Sequence, residues 1–231
     1  MCYNYEDMMR RGDKRAAHAE AGTPVGKAKS AEQEAEKAAS EEMNTGLFPG
    51  KPGRFIPIYD RIPAHFIFGM LADWAKSPKE GPRSFNCKSE TIFEKPMWRG
   101  PMNRGQRGLV MSSAFYETDR INKKRYRFSV KGKDTIYYAG IFNLWKDPVT
   151  KIVEKSFAII TCAPNDLVGS VHDRMPVILD AEGEYNWMKA NASIDTLRSV
   201  FKPYPSHLME MEEMLPLSKR KKKGPELGLD F

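Results

Sequence analysis

Short runs of aromatic and β-branched residues recur along the chain and are separated by loops rich in Gly, Pro, Asn and Lys. The runs span residues 55–59, 66–68, 109–111, 126–130, 136–144 and 157–161. This spacing is typical of β-strands joined by turns, so it restricts the chain to a fold that is mainly sheet. Helical patterns come mainly late, over residues 181–190 and 193–201.

Two of the runs predict where their strands lie in the sheet. Residues 125–130 alternate polar and apolar side chains, as a half-buried antiparallel strand does. Residues 157–160 are continuously apolar, which favours a central strand. Because the chain has no internal repeat, we predict one α+β domain over residues 1–231, built on a curved, mostly antiparallel sheet or barrel with flanking helices.

Two segments contribute little to a core. Residues 10–43 are mostly Ala, Glu, Lys, Arg and Gly, and we interpret the region of about 10–45 as a solvent-facing helix or a flexible insertion. The tail over residues 218–231 contains five consecutive basic residues, at 219–223. Most such runs are solvated, although they also suit a phosphate backbone.

The overall charge favours an anionic partner. Lys and Arg number 37 against 30 Asp and Glu, a formal net charge of +7 that suits nucleic acid but also serves ordinary solubility. No apolar stretch approaches the roughly 18 residues of a membrane span, and the first residues lack the basic and apolar regions of a signal peptide. We therefore expect a cytoplasmic protein without a membrane partner.

The three cysteines, Cys2, Cys87 and Cys162, are odd in number and far apart. Without a C-x-x-C spacing they predict neither a disulfide framework nor a zinc site, so we expect no metal and no cofactor. Cys2 has a further property, because removal of Met1 would leave a free amine beside its thiol. Such a 1,2-aminothiol suits aldehydes: the amine forms a Schiff base and the thiol closes a thiazolidine ring.

Three polar clusters lie between the predicted strands, over residues 86–91, 114–118 and 172–179. Taken alone, Glu117 is most simply an exposed carboxylate at a strand end, and His172 a surface or capping histidine. Asn86 is of a type common in turns. None of the three identifies an active site without further information.

In order and content, these segments resemble the SOS-response-associated peptidase (SRAP) family, the abasic-site DNA-protein crosslinking proteins. The similar segments are Cys2 and residues 68–75, 86–91, 94–99, 115–117, 139–142 with Trp145, 161–165 and 172–179. For example, Asn-Cys-Lys-Ser-Glu-Thr at residues 86–91 is similar to the family's Asn-Ala-Arg-x-Glu-Thr. Several weak motifs in the right order are hard to obtain by chance.

The resemblance implies four catalytic residues. Cys2 would be the nucleophile, with its amine attacking the C1 aldehyde of a ring-opened abasic sugar and its thiol closing the ring. Glu117 would move protons during ring opening and Schiff-base formation, and His172 would be a second acid-base group. Asn86 would hold the N-terminal residue or the sugar by hydrogen bonds.

The resemblance also implies a partner, single-stranded DNA that contains abasic sites. The expected DNA-binding cations are Lys88, Arg99 and Arg174, although Lys88 alone also suits a simply solvated position. Phe68 and Trp74 either pack or stack against unpaired bases or belong to the core. Lys88 stands where the family has arginine, which keeps the charge but loses the bidentate geometry. We expect a monomeric, bacterial or phage-encoded protein that associates with the nucleoid when it is bound to DNA.

Two other functions remain open from the sequence. One is a thiol peptidase that acts on other proteins through Cys2 and His172. Against it, a protease needs only the thiol, which leaves the N-terminal position unexplained, and no oxyanion-hole segment is recognisable. The other is a non-catalytic DNA-binding protein that uses only its basic surface.

Overall fold

The computed structural model describes residues 4–6, 46–47 and 49–214. Cys2, the predicted insertion over residues 10–45 and the basic tail over residues 218–231 therefore lie outside the described residues. No helix in the described part of the chain is long and apolar enough to cross a membrane.

The described residues form strands and four short α-helices, numbered here in chain order. The strands are β1 (Asn4–Glu6), β2 (Gly46–Leu47), β3 (Pro52–Pro57), β4 (Ala64–Phe68), β5 (Met70–Leu71), β6 (Arg83–Ser84), β7 (Asn86–Lys88), β8 (Arg107–Ser112), β9 (Phe115–Thr118), β10 (Arg125–Val130), β11 (Ile136–Lys146), β12 (Val153–Cys162), β13 (Met175–Pro176), β14 (Ile178–Leu179) and β15 (Met209–Met214). The helices are α1 (Pro96–Asn103), α2 (Asp166–Gly169), α3 (Ala181–Trp187) and α4 (Ile194–Ser199).

Five strands close into a barrel. Strand β12 pairs in parallel with β4, and antiparallel pairings continue from β4 to β3, β8, β11 and back to β12. Inside it, the centroid of the Phe55 ring lies 5.0 Å from that of Phe66, 5.5 Å from that of Phe142 and 5.3 Å from that of Phe157. These separations suit tilted and edge-to-face contacts, so the aromatic residues of the strand runs fill the barrel.

A second antiparallel sheet has the strand order β15-β10-β9-β1-β2. In β9 and β10, Phe115 and Phe128 stack with ring centroids 5.0 Å apart. In the same sheet Asn4 pairs with Tyr116 and Tyr5 with Phe115, so β1 runs antiparallel to β9. This pairing places Asn4 next to the strand that carries Glu117.

The sequence predictions for the main elements are confirmed. Each of the six strand runs falls on a strand, and the two helical patterns contain α3 and α4. Strand β10 buries Phe128 and Val130 with the half-buried Ser129 between them, as its alternation predicts, whereas Tyr126 on the same face is only half-buried. Strand β12 is buried over residues 156–162 and lies between β4 and β11, as its continuous apolar run predicts.

Helix α1 and strand β15 were not predicted. The segment of α1 carries Gly100 and Pro101, which are poor helix formers, and the helix is held instead by its buried Trp98 and Met102. Strand β15 has the sequence Met-Glu-Met-Glu-Glu-Met and buries only Met209, so its pattern carries little strand signal. Tertiary contacts decide the structure of both segments.

Paired glycines in the barrel wall make room for the Phe55 ring. Gly108 in β8 lies opposite Gly140 in β11. A Cβ atom at Gly108 would overlap the Ile56 carbonyl oxygen and the Phe55 ring, and one at Gly140 would lie 2.6 Å from Phe55 Cε2. Any side chain at these two positions therefore collides with the barrel core.

We expect Gly108→Ala to lower the free energy of unfolding by about 1–3 kcal/mol, because an overpacked core must shift backbone and rings. Urea unfolding of the purified variant measures this change. The matched control is Gly169→Ala at the end of α2, where the new Cβ meets only Pro164 atoms at 3.6 and 3.9 Å. A Gly108→Ala protein as stable as the control would contradict the packing described here.

Candidate active site

Glu117 and His172 form a buried acid-base pair. His172 Nε2 lies 3.8 Å from Glu117 Oε2, and the two side chains are only 4% and 3% exposed. Side chains alternate between the two faces of β9, so Glu117 lies on the same face as the buried Phe115. Its carboxyl group is therefore in the interior. The reading of these residues as an exposed strand-end carboxylate and a surface histidine is therefore wrong.

The other imidazole nitrogen has partners for both protonation states. The backbone N–H of Arg174 donates to His172 Nδ1 at 3.1 Å, which suits the neutral ring. The Arg174 carbonyl oxygen lies 3.2 Å from the same nitrogen and an Asp173 carboxylate oxygen lies 3.3 Å away, and both suit a protonated ring. Nδ1 therefore has a hydrogen-bond partner in either tautomer of the ring.

Arg120 and Asp173 lie next to the pair, although no sequence motif assigns a role to either residue. Arg120 Nη2 donates to Asp173 Oδ1 at 2.9 Å and lies 3.4 Å from His172 Nε2. Desolvation is the largest single influence and raises the pKa of Asp173, but several lowering influences, among them the charges of His172 and Arg120 and a backbone hydrogen bond, together bring this pKa below its usual value. Arg120 follows Glu117 by three residues in a turn, a spacing that belongs to no motif, so only the fold reveals the contact.

Asn86 is tied to the His172 segment through Arg174. Strand β7 pairs in parallel with β12, with Asn86 opposite Ile159. Arg174 donates to both Glu90 carboxylate oxygens, at 2.6 and 2.8 Å, and to the Thr161 carbonyl oxygen at 2.6 Å. The guanidinium thus connects the chain just after Asn86, the end of β12 and the chain just after His172.

The expected DNA-binding residues lie in different environments. Lys88 at the end of β7 and Arg99 in α1 are exposed, and the Trp74 side chain is 55% exposed. Asp73 accepts hydrogen bonds from Arg104, which follows α1, so the turn that carries Trp74 is joined to the helix that carries Arg99. These three side chains are accessible to a large ligand.

Phe68 and Arg174 are different. Phe68 has no exposed surface, and its ring centroid lies 5.4 Å from that of Phe85 and 5.3 Å from that of Phe157. We therefore correct the expectation that Phe68 stacks on unpaired bases: it is a core residue of β4. The Arg174 side chain is 20% exposed and is engaged with Glu90, so any contact with DNA has to use the part that remains accessible.

The two described cysteines are poor nucleophiles. Burial raises the pKa of Cys162 to about 12, and burial also raises the pKa of Cys87 well above its usual value. At neutral pH both remain thiols rather than thiolates. Within the described ranges, no group of three or more His, Cys, Asp or Glu side chains is arranged to hold a metal ion.

Comparison with known proteins places this chain in a family. The profile of a family described as SOS response associated peptidase (SRAP) matches residues 7–219. The chain belongs to the SRAP family. It is 34% identical over 165 residues to the abasic site processing protein YoqW of Bacillus subtilis (strain 168), covering 69% of this chain and 73% of that protein.

A more distant relative and two solved structures are also similar to this chain. The abasic site processing protein HMCES of Xenopus tropicalis is 25% identical over 145 residues, which cover 53% of this chain and 43% of HMCES. A crystal structure of a protein from Bacteroides thetaiotaomicron has a TM-score of 0.66 and a sequence identity of 26%. The match covers 74% of this chain and 77% of the chain in that structure. A crystal structure from Bordetella bronchiseptica has a TM-score of 0.68 and covers 93% of this chain and 100% of its own. Because its sequence identity is only 21%, it supports the fold alone.

The Glu90–Arg174 ion pair of this SRAP chain predicts a pH-dependent contribution to stability. The hydrogen bonds from Arg174 lower the pKa of Glu90 below its ordinary value of 4.5. A lowered pKa stabilises the folded state above that ordinary value, and the contribution disappears as pH falls through the lowered pKa. Because the Glu90 side chain is 54% exposed, solvent screening keeps the contribution small.

We expect Glu90→Gln to reduce the free energy of unfolding at pH 7 by on the order of 1 kcal/mol or less, with the difference from wild type shrinking below about pH 4.5. Urea unfolding of both proteins between pH 7 and pH 3 measures it. Glu94→Gln, an exposed glutamate four residues further on, is the control. A Glu90→Gln deficit that stays constant over this range would contradict the ion-pair explanation.

Proposed function

We propose that this chain processes abasic sites in single-stranded DNA by forming a covalent thiazolidine crosslink through Cys2 after Met1 is removed. The observation that carries the proposal is the pairing of β1 with β9, which places Asn4 opposite Tyr116, the neighbour of the buried Glu117 that lies next to His172. The names of the relatives, abasic site processing proteins, support the same substrate.

Covalent geometry allows Cys2 to reach this pair. Asn4 lies opposite Tyr116, and Glu117 is the next residue of β9. Cys2 precedes Asn4 by two residues, and two residues of extended chain span at most about 7 Å. Chain connectivity therefore keeps Cys2 within about 7 Å of Asn4, which supports the assignment of Cys2 as the nucleophile.

The chemistry proceeds in two additions at one carbon. The Cys2 amine adds to the C1 aldehyde of the ring-opened sugar, and loss of water gives a Schiff base. The thiolate then adds to the same carbon while the nitrogen takes up a proton, which closes the five-membered ring. No oxidant, metal or cofactor is consumed in these steps.

The buried residues supply the proton transfers. Glu117 protonates the sugar oxygen as the ring opens and later takes a proton from the attacking amine, and His172 serves as the second acid-base group. Their low exposure excludes bulk water, which would otherwise compete for the same protons. Asn86 holds the N-terminal residue or the sugar, since an amide donates and accepts without adding charge.

An exposed basic and aromatic surface supports DNA as the partner. Lys88 and Arg99 can neutralise phosphates, and the exposed Trp74 ring offers a face on which an unpaired base can stack. The net charge of +7 adds a general attraction for a polyanion.

We expect purified protein, incubated with single-stranded DNA that carries one abasic site, to form a band that resists heat in a denaturing gel, and Cys2→Ala to abolish it. Removing the thiol and its ring closure leaves only a reversible Schiff base from the amine. Cys162→Ala, which removes a buried thiol, is the matched control and should crosslink like wild type. Absence of any adduct under reducing conditions near pH 7 would refute the proposal.

Two further measurements sharpen this test. The intact mass of crosslinking-competent protein should be that of a chain beginning at Cys2, because an amine blocked by Met1 cannot close the ring. Retention of Met1 in active protein would contradict the mechanism. Glu117→Gln should slow crosslinking by about 10²–10⁴-fold, the usual loss when a general acid-base group is removed.

A second candidate is a thiol peptidase that uses Cys2 and His172, which the description of the matched family favours. It requires turnover of peptides in the absence of DNA. Incubation of wild type with a peptide library distinguishes the two functions: cleavage that Cys2→Ala removes supports the peptidase, and crosslinking without cleavage supports the proposal. A protein that binds DNA but never becomes covalently attached is the third, non-catalytic possibility.

A further inference from the structure

The turn between β9 and β10 holds a cation at the edge of the candidate active site. Asp119 Oδ1 accepts hydrogen bonds from the backbone N–H groups of Ile121 and Asn122, at 2.7 and 3.3 Å, and its other oxygen accepts from the Asn122 amide at 2.7 Å. Lys123 Nζ donates to the Arg120 carbonyl oxygen at 2.6 Å. These bonds fix the backbone from which the Arg120 side chain extends.

The Arg120 guanidinium is held by one carboxylate in an exposed position. It donates to Asp173 Oδ1 at 2.9 Å, and the two side chains are 65% and 63% exposed. An ion pair this open to water contributes little free energy, so another anion displaces it readily. By contrast, Arg174 binds both oxygens of Glu90 and is mostly buried, which suits a structural role.

The same guanidinium lies 3.4 Å from His172 Nε2, the nitrogen that faces Glu117. A nucleotide held at the Glu117–His172 pair therefore has Arg120 beside it. A guanidinium matches the two free oxygens of a phosphate better than it matches the single Asp173 oxygen that it contacts here. The Asp173 carboxylate, in turn, carries the charge that repels a phosphate.

We propose that Arg120 binds a DNA phosphate next to the abasic nucleotide, and that Asp173 competes with this phosphate for Arg120 in the free protein. The inference rests on the proposed function and adds a contact that the family motifs in this sequence do not include. The two residues therefore have opposite effects on DNA affinity: Arg120 strengthens DNA binding, and its partner Asp173 weakens it. A pair that only stabilised the fold would give losses of the same sign for both residues.

The test measures equilibrium binding without covalent capture. The full-length Cys2→Ala protein serves as parent, and the probe is a fluorescent single-stranded oligonucleotide with one tetrahydrofuran abasic analogue, followed by anisotropy at several salt concentrations. We expect Arg120→Ala to weaken binding by about tenfold or more and to reduce the salt slope by about 0.7, the value for one phosphate contact on single strands. Arg120→Lys, which keeps the charge without the fork, should fall between.

We expect Asp173→Asn to tighten binding by up to about fivefold, because the competing charge is removed while the size is kept. The matched control is Lys124→Ala, which removes a cation from the same turn. Lys124 is paired with Glu213 of β15, on the side of β10 away from β9, so its loss should change affinity less than twofold. Thermal unfolding midpoints equal to that of the parent establish that these exposed substitutions leave the fold intact.

Weaker binding by both Arg120→Ala and Asp173→Asn would assign the pair a structural role and overturn the inference, as would unchanged binding in both. If the parent does not bind the oligonucleotide and wild type forms no adduct with abasic DNA, the proposed function fails and the inference fails with it. If the parent binds and wild type crosslinks while the two variants bind like the parent, only the inference fails.

Discussion

Strand β12 makes backbone hydrogen bonds to four other strands, and the arrangement of the rest depends on these pairings. By pairing with β11 on one side and β4 on the other it closes the barrel. Beyond the barrel the same strand pairs with β7, which carries Asn86, and with β13, which follows the His172 segment. A strand with a continuously apolar run at residues 157–160 thus sets both the core and the relative positions of two segments of the site.

The candidate site has a buried centre, formed by Glu117 and His172, and a solvent-exposed edge that carries charged side chains. Glu117 and His172 are almost completely buried, so in the proposed reaction a proton moves between them and the sugar without competition from bulk water. Two charged pairs surround them. The Arg120–Asp173 pair is open to solvent, whereas the Arg174–Glu90 pair is more buried. The more buried of these pairs joins segments of the fold, whereas the more exposed one is free to exchange its partner.

The sequence predicted those elements whose local pattern and tertiary role agree. The alternation in β10 and the apolar run in β12 are such cases, and so are the two late helices, whose Asp180 and Ser193 side chains cap them as local sequence suggests. Helix α1 could not be predicted, since its packing overrides weak propensities. Phe68 was misassigned because an aromatic residue in a motif looks the same whether it faces DNA or a barrel interior. The contact of Arg120 with Asp173 joins residues 53 positions apart and has no local signature.

The ends of the charged segment that separates β1 from β2 meet in the sheet. Glu6 lies opposite Gly46, so the two residues that flank this segment are neighbours in the sheet. Closing a flexible loop between fixed ends costs free energy that grows only with the logarithm of its length, about 0.6 kcal/mol for each doubling. A flexible connection between ends held in this way therefore changes length at little cost, while the pairing of β1 with β9 next to Glu117 stays in place.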